Sequence, residues 1–443
     1  MNAIVVRMAT ATALWSLLAL ACTMQALAAE TLRIQGSNTI GEHLAPALVE
    51  RWLLDGGEPS PEWRPGAEGE GEFVGGALRV QLRSHGSNTG MRALLAGQAD
   101  IAMSSRPATA EEIAAAAGAG LGRLDGAGQE YVVALDGLAI IVHPDNPLRA
   151  LDVTAVRRLF SGQARDWREV GGAPGPVRLH ARDERSGTWE TFRTLVLGER
   201  VLSAGAVRYE SSDALAEAVA ADPLAIGFVG LGGARRARVL AVGDLDAAAI
   251  LPGDETVAVE DYLLSRRLYL YLRSDASPQA RAFAEFAVGP AAQPLVAQAG
   301  FVTQTIREVA LPPAPEVPEE YLRLVDGARR LSLNFRFGQG AGVLDTRGER
   351  DLDRLTRFLA EPARAGTGVL LIGFVEASET LPYLALALSN ERVDYIAEQL
   401  SRRGIRVTRA RGLGGALPVA SSATEQGRRR NRRVEVWIAE AGG

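Results

Sequence analysis

Between Thr31 and about Gln304, short apolar runs alternate with amphipathic stretches. Leu32–Gln35, Ala77–Arg83, Asp136–Val142 and Val177–Ala181 have the length and aliphatic content of strands. Leu44–Leu54, Met91–Ala96, Ala155–Leu159 and Glu190–Val196 carry helical spacing. This rhythm predicts an α/β unit with mostly parallel sheets. At Leu311 the texture changes: Pro312, Pro313, Pro315 and Pro318 predict an extended, semi-rigid connector over 306–330. Beyond it, Leu331, Leu333, Phe335 and Phe337 alternate with polar residues, as in a strand with one buried face. Two helical stretches and further strands follow, ending in Arg433–Ile438, so 331–443 reads as a second, smaller α/β unit.

The chain has 443 residues, of which 47% are hydrophobic and 23% charged, enough apolar material for large cores and too much for a disordered chain. A net charge of −5 supplies no general attraction to nucleic acid or an anionic membrane. All 48 basic residues are arginine, so an arginine carries meaning only through its motif. Residues 1–29 read as a secretory signal peptide: Arg7, an apolar run from Ala9 to about Met24, then Ala26-Leu27-Ala28 at a cleavage site. That run is shorter than the ~20 residues a membrane span needs, so no transmembrane segment is expected after cleavage. Cys22 is the single cysteine; it lies in the signal, and Leu20-Ala21 before it leaves lipidation open.

One pattern occurs three times in the first unit: a strand, a turn rich in Gly, Ser, Thr and Asn, then a helix. The turns are Gly36-Ser37-Asn38-Thr39, Gly86-Ser87-Asn88-Thr89-Gly90, and Arg182 with Ser186-Gly187-Thr188. Each places hydroxyls and backbone N–H groups at a helix start, where the macrodipole favours negative charge. A single such turn is ordinary capping. Three at the carboxyl ends of strands, with Arg182 adding a fork of donors, predict one site for a small multivalent anion.

These residues resemble the phosphate-binding receptors of bacterial ABC transporters, the PstS-like type II periplasmic binding proteins. The resemblance runs from residue 31 to about 305. It rests on Gly36–Ile40, Ala99–Pro107, Asp136–Val142, Phe160-Ser161-Gly162 with Trp167, Arg182–Thr188 and Ala225–Phe228. It implies a bilobal domain over 30–305 that closes on phosphate by a hinge. The implied contacts are Ser37, Thr39, Ile40, Ser87, Ser105, Arg182, Ser186, Gly187 and Thr188. Relatives that reject sulfate carry an aspartate near the Ser105 position, which accepts the proton of monohydrogen phosphate. Ser104-Ser105-Arg106 stands there instead, so this position gives weaker grounds for rejecting sulfate.

Residues 331–438 resemble the OmpA-like peptidoglycan-binding domain, through Leu333-Asn334-Phe335, Leu388-Ser389 with Arg392, and the closing Gly427–Val436. The run Arg428–Arg433 would by composition suit nucleic acid, but export and the following strand pattern point away from that. The resemblance implies an aspartate and an arginine gripping the zwitterionic end of diaminopimelate. Arg392 matches the arginine, and the aspartate position falls at Glu376, with the spacing one residue longer than usual.

The resulting expectation is a non-catalytic periplasmic receptor for phosphate or a similar oxyanion, associated with the cell wall or outer membrane, without metal or cofactor. An ABC permease is a further expected partner. Two alternatives stay open: a wall-associated structural or sensor protein, and a phosphatase using Ser186. Against the phosphatase, no activated-serine signature surrounds Ser186, and His43, His85, His143 and His180 form no i, i+4 pair.

Overall fold

The computed structural model describes residues 30–75, 78–244, 247–310, 317–337 and 342–439; the signal-like segment and most of the proline cluster lie outside them. The first unit is built on a continuous curled sheet. In one half, β1 (Glu30–Gly36) lies parallel to β2 (Leu78–Ser84) and β3 (Ile101–Ser104). In the other, β5 (Arg178–Arg182) lies parallel to β6 (Ala225–Gly230). Two long strands, β4 (Glu130–Val142) and β7 (Ser265–Leu272), pair antiparallel and join the halves. Each half has its own core. Leu32, Ile34, Leu48, Phe73 and Phe283 fill lobe one; Val156, Phe160, Phe192, Phe228 and Tyr262 fill lobe two. Phe192 and Phe228 stack with ring centroids 3.8 Å apart, and Phe160 meets both edge-on.

The strand–turn–helix units form as the sequence pattern requires. β1 turns into the short helix α1 (Asn38–Gly41) and then α2 (Leu44–Asp55); β2 leads into α3 (Ser87–Leu95); β5 leads into α4 (Gly187–Phe192). Gly36 is obligatory at the first turn: its φ is +139°, and a Cβ there would lie 2.0 Å from the Met103 carbonyl oxygen.

The second unit has the sheet order β8 (Glu308–Val309), β9 (Arg329–Arg336), β12 (Arg433–Ala439), β10 (Gly368–Phe374), β11 (Val407–Gly412). Helices α5 (Thr346–Leu359) and α6 (Pro382–Arg402) cover it, with Val393, Ile396 and Leu400 buried as their spacing predicts. The span read as an extended connector contributes structure in its described parts. Glu308–Val309 adds the edge strand, and a helix over Glu319–Val325 packs Tyr321 against the sheet, its hydroxyl donating to Glu435 at 2.8 Å.

The largest departure from the sequence pattern is in β9. A strand with one solvated face was expected, yet Arg330, Ser332, Asn334 and Arg336 are all buried. Their face meets the first unit. Arg330 and Arg336 pair with Asp261 at 2.9 and 3.2 Å, and the Asn334 amide donates to the Val259 carbonyl at 2.9 Å. Arg430 donates to the Ser265 carbonyl at 2.8 Å, Arg347 pairs with Glu260, and Arg267 bridges Glu260 and Asp345 at 2.8 and 2.7 Å. On lobe one, Arg350 pairs with Glu285 and lies 4.4 Å from the Tyr131 ring centroid. Burial pushes the Arg336 and Arg430 guanidinium groups down to about 10. Burial also works against the charged forms of Glu260 and Asp261, but the surrounding arginines outweigh it and hold both carboxyls low.

Candidate functional site

A cleft of about 750 Å³ opens between the lobes, lined by Ser87, Ser105, Ser186, Glu190 and Arg266 among others. Lobe one brings three hydroxyls together. Thr39 and Ser87 come from the starts of α1 and α3, and Ser105 follows β3. The Ser87 and Ser105 hydroxyl oxygens are 3.0 Å apart, and the Ser105 backbone N–H donates to Ser87 Oγ at 3.0 Å. Lobe two faces them with α4. Ser186 caps this helix, its Oγ accepting from the Thr188 N–H at 3.2 Å. Gly187 packs so closely on lobe one that a Cβ would lie 2.6 Å from Thr39 Oγ1.

Two residues complete the cluster that sequence reasoning did not select. Arg266, on crossing strand β7, is buried and donates to Thr39 Oγ1 at 2.8 Å and to the Gly187 carbonyl at 3.2 Å. Its Nε pairs with Asp136 on the other crossing strand at 3.1 Å, and Thr191 donates to the same carboxylate at 3.2 Å. One guanidinium therefore touches lobe one, lobe two and the crossing pair. Glu190, in the first turn of α4, reaches across the cleft. Its carboxylate accepts from Ser105 Oγ at 3.2 Å, and from Ser87 Oγ and Thr39 Oγ1 at 3.4 Å each.

The other residues named from the sequence are placed differently. Ile40 is wholly buried in the lobe-one core, leaving only its backbone near the turn. Ser37 is buried, with its N–H donating to Met103 at 3.0 Å and its hydroxyl unpartnered. Arg182 turns away from the hydroxyl cluster. It donates to the Tyr209 and Glu210 carbonyls at 3.2 and 2.7 Å and to Ser212 Oγ, and it borders a neighbouring cavity. His180 packs on Tyr209, its Nδ1 3.0 Å from the hydroxyl, and burial lowers its pKa, so it carries no charge at neutral pH. Among the described residues, no three His, Cys, Asp or Glu side chains cluster as metal ligands would.

In the second unit, Arg392 and Glu376 are both buried. The Arg392 fork is taken by Glu379, at 2.9 Å for one of the two bonds, and its guanidinium lies 5.2 Å from the Phe337 ring centroid. Burial raises the Glu376 pKa, but hydrogen bonds from Ser422 and Ser378 outweigh it and keep the carboxyl ionised. Glu379 had not been singled out, although it lies only three residues after Glu376 in the same loop.

Fold and cleft together define a two-lobed α/β unit with an interlobe cleft, joined to a small α/β unit. Residues 76–291 match the model of the PBP superfamily domain and residues 336–432 that of the OmpA family. Protein SphX of Synechococcus elongatus is 27% identical over 238 residues, covering 51% of this chain and 69% of that protein. The phosphate-binding protein PstS of Borreliella burgdorferi is 24% identical over 232 residues, covering 51% and 79%. The fold is shared with the crystal structure of "a possible phosphate binding protein" from Planctomyces limnophilus. That match has a TM-score of 0.52 at 21% identity and covers 62% of this chain and 93% of that one.

Proposed function

We propose that this chain is a non-catalytic periplasmic receptor that takes up phosphate between its lobes and is held at peptidoglycan by its second unit. The observation that carries the reading is the convergence of the Thr39, Ser87 and Ser105 hydroxyls with buried Arg266 in an interlobe cleft. The name of the PstS relative, a phosphate-binding protein, supplies the ligand class. Thr39, Ser87 and Ser105 serve from lobe one. Ser186, Gly187 and Thr188 serve from lobe two, with Ser37 and Ile40 shaping the first turn. Arg182 joins only after leaving the 209–212 loop. An ABC permease is the downstream partner this role calls for.

Titration calorimetry of the full chain with phosphate tests the receptor role, and absence of binding would end it. Ser87→Ala removes one hydroxyl and should weaken binding by about 0.5–1.5 kcal/mol, roughly twofold to tenfold.

Wall binding is tested by co-sedimentation of the full chain with purified peptidoglycan. Arg392→Ala should abolish pelleting, because it removes the guanidinium fork that would grip a carboxylate through both oxygens. Glu379→Gln should strengthen it, since the ligand carboxylate must otherwise displace Glu379 from that fork. Pelleting indifferent to Arg392→Ala would remove this site from consideration.

A further inference from the structure

The lobe-one hydroxyls meet a side-chain carboxylate, and that determines which anions can share the cluster. Glu190 lies within hydrogen-bond distance of all three hydroxyls while belonging to the opposite lobe. It sits on α4, three residues beyond Gly187, the residue packed against Thr39. A bound anion between the lobes would therefore lie beside this carboxylate. An ionised carboxylate can only accept hydrogen bonds. Any ligand oxygen facing it must bring its own proton.

We infer that Glu190 is the specificity-determining residue of the cleft, selecting oxyanions that carry a proton at neutral pH over those that do not. This rests on the oxyanion-receptor reading and goes beyond it by assigning the choice among anions to one residue. In the proposed arrangement the P–OH of monohydrogen phosphate donates to Glu190. The Thr39, Ser87 and Ser105 hydroxyls then turn their protons from Glu190 to the remaining ligand oxygens. Arsenate has the same protonation and geometry and is accepted alike. Sulfate has no proton to give, and sets a charged oxygen against Glu190 with no hydrogen bond between them. Ser105 itself cannot discriminate, because a hydroxyl donates as readily as it accepts. The acceptor is thus supplied from lobe two, and the choice is made only when the lobes close.

Calorimetric titration of phosphate, arsenate and sulfate into the full chain and into Glu190→Gln tests this. The native chain should bind phosphate and arsenate at least 100-fold more tightly than sulfate. In Glu190→Gln, whose amide can donate, sulfate should gain at least tenfold while phosphate weakens, collapsing the ratio. Glu190→Asp keeps the charge on a shorter stem, so it should weaken phosphate yet still reject sulfate. If Glu190→Gln binds phosphate but its sulfate-to-phosphate ratio stays within twofold of the native value, the assignment to Glu190 is wrong and the receptor reading stands. An equal gain for both anions would also overturn it, marking Glu190 as mere repulsion. If the native chain binds none of the three, the receptor reading fails and takes this inference with it.

Discussion

Asp261→Asn is expected to cost the folded chain about 3–5 kcal/mol, the usual scale for removing one partner of a buried ion pair. Asp261 sits between Arg330 and Arg336, and the side chains of all three are almost fully buried. The substitution keeps the shape and removes only the charge, leaving two guanidinium groups desolvated beside a neutral amide. Denaturant titration should show a lower midpoint, with the two units losing their common transition and unfolding separately. A change below about 1 kcal/mol would mean that Glu435, 3.5 Å from Arg330, already carries the balance. The complementary experiment replaces Arg330, Arg336 and Asp261 together by apolar residues of similar volume. That chain should be nearly as stable as the native one, because buried ion networks often contribute little beyond an apolar equivalent.

The second large effect is expected at Arg266. Arg266→Ala should lower phosphate affinity at least 100-fold, more than the loss of any single hydroxyl. Three consequences combine. The strongest donor near the cluster disappears, Asp136 is left buried without its cation, and the link between Thr39 and Gly187 across the lobes is cut. Arg266→Lys should fall between, since an ammonium keeps the charge but cannot span Asp136, Thr39 and Gly187 at once. Calorimetry alongside thermal unfolding separates the two contributions. An affinity drop without change in melting temperature would place the whole effect on the ligand. Unchanged affinity would show that Arg266 only braces the crossing strands.

How much of this was legible in the sequence differs from residue to residue. Repeated glycine and hydroxyl turns gave the strand–turn–helix units because capping and turn chemistry are local, and Gly36 is needed wherever that chain direction is taken. Distances between turns are not local. The sequence therefore named Thr39, Ser87, Ser105 and Ser186 without showing that Glu190 crosses to three of them. Glu190 looked like an ordinary acidic residue in a first helical turn. Arg182 sits at a turn of the right composition, yet its loop partners at 209–212 hold it away from the cluster. Arg266 and Arg267 did leave a signal. Two consecutive charges inside the apolar run Leu263–Leu272 are costly unless both find buried partners. The polar face of β9 was misread for a related reason. Alternation reports which residues face the strand's own core, and says nothing of a second surface that arrives from elsewhere in the chain. The arginines of 428–433 belong to the same lesson. Arg430, Arg432 and Arg433 are buried, and Arg430 is spent on carbonyls of the first unit.

Successive side chains of a strand point to opposite faces, and on β7 this puts the molecule's two ends one residue apart. Arg266 reaches into the cleft, while Arg267 reaches out to Asp345 at the start of α5, and Arg430 holds the carbonyl of Ser265 just before them. Asp345 also caps α5, accepting from the Gly348 N–H at 2.8 Å, so the helix cannot shift without moving that carboxylate. Mechanically, β7 is a shared axle, held on one side by the cleft contacts of Arg266 and on the other by second-unit contacts at Arg267 and Ser265. A pull applied to the second unit is delivered to the backbone that aims Arg266, and lobe rotation is loaded by whatever mass and drag the second unit carries.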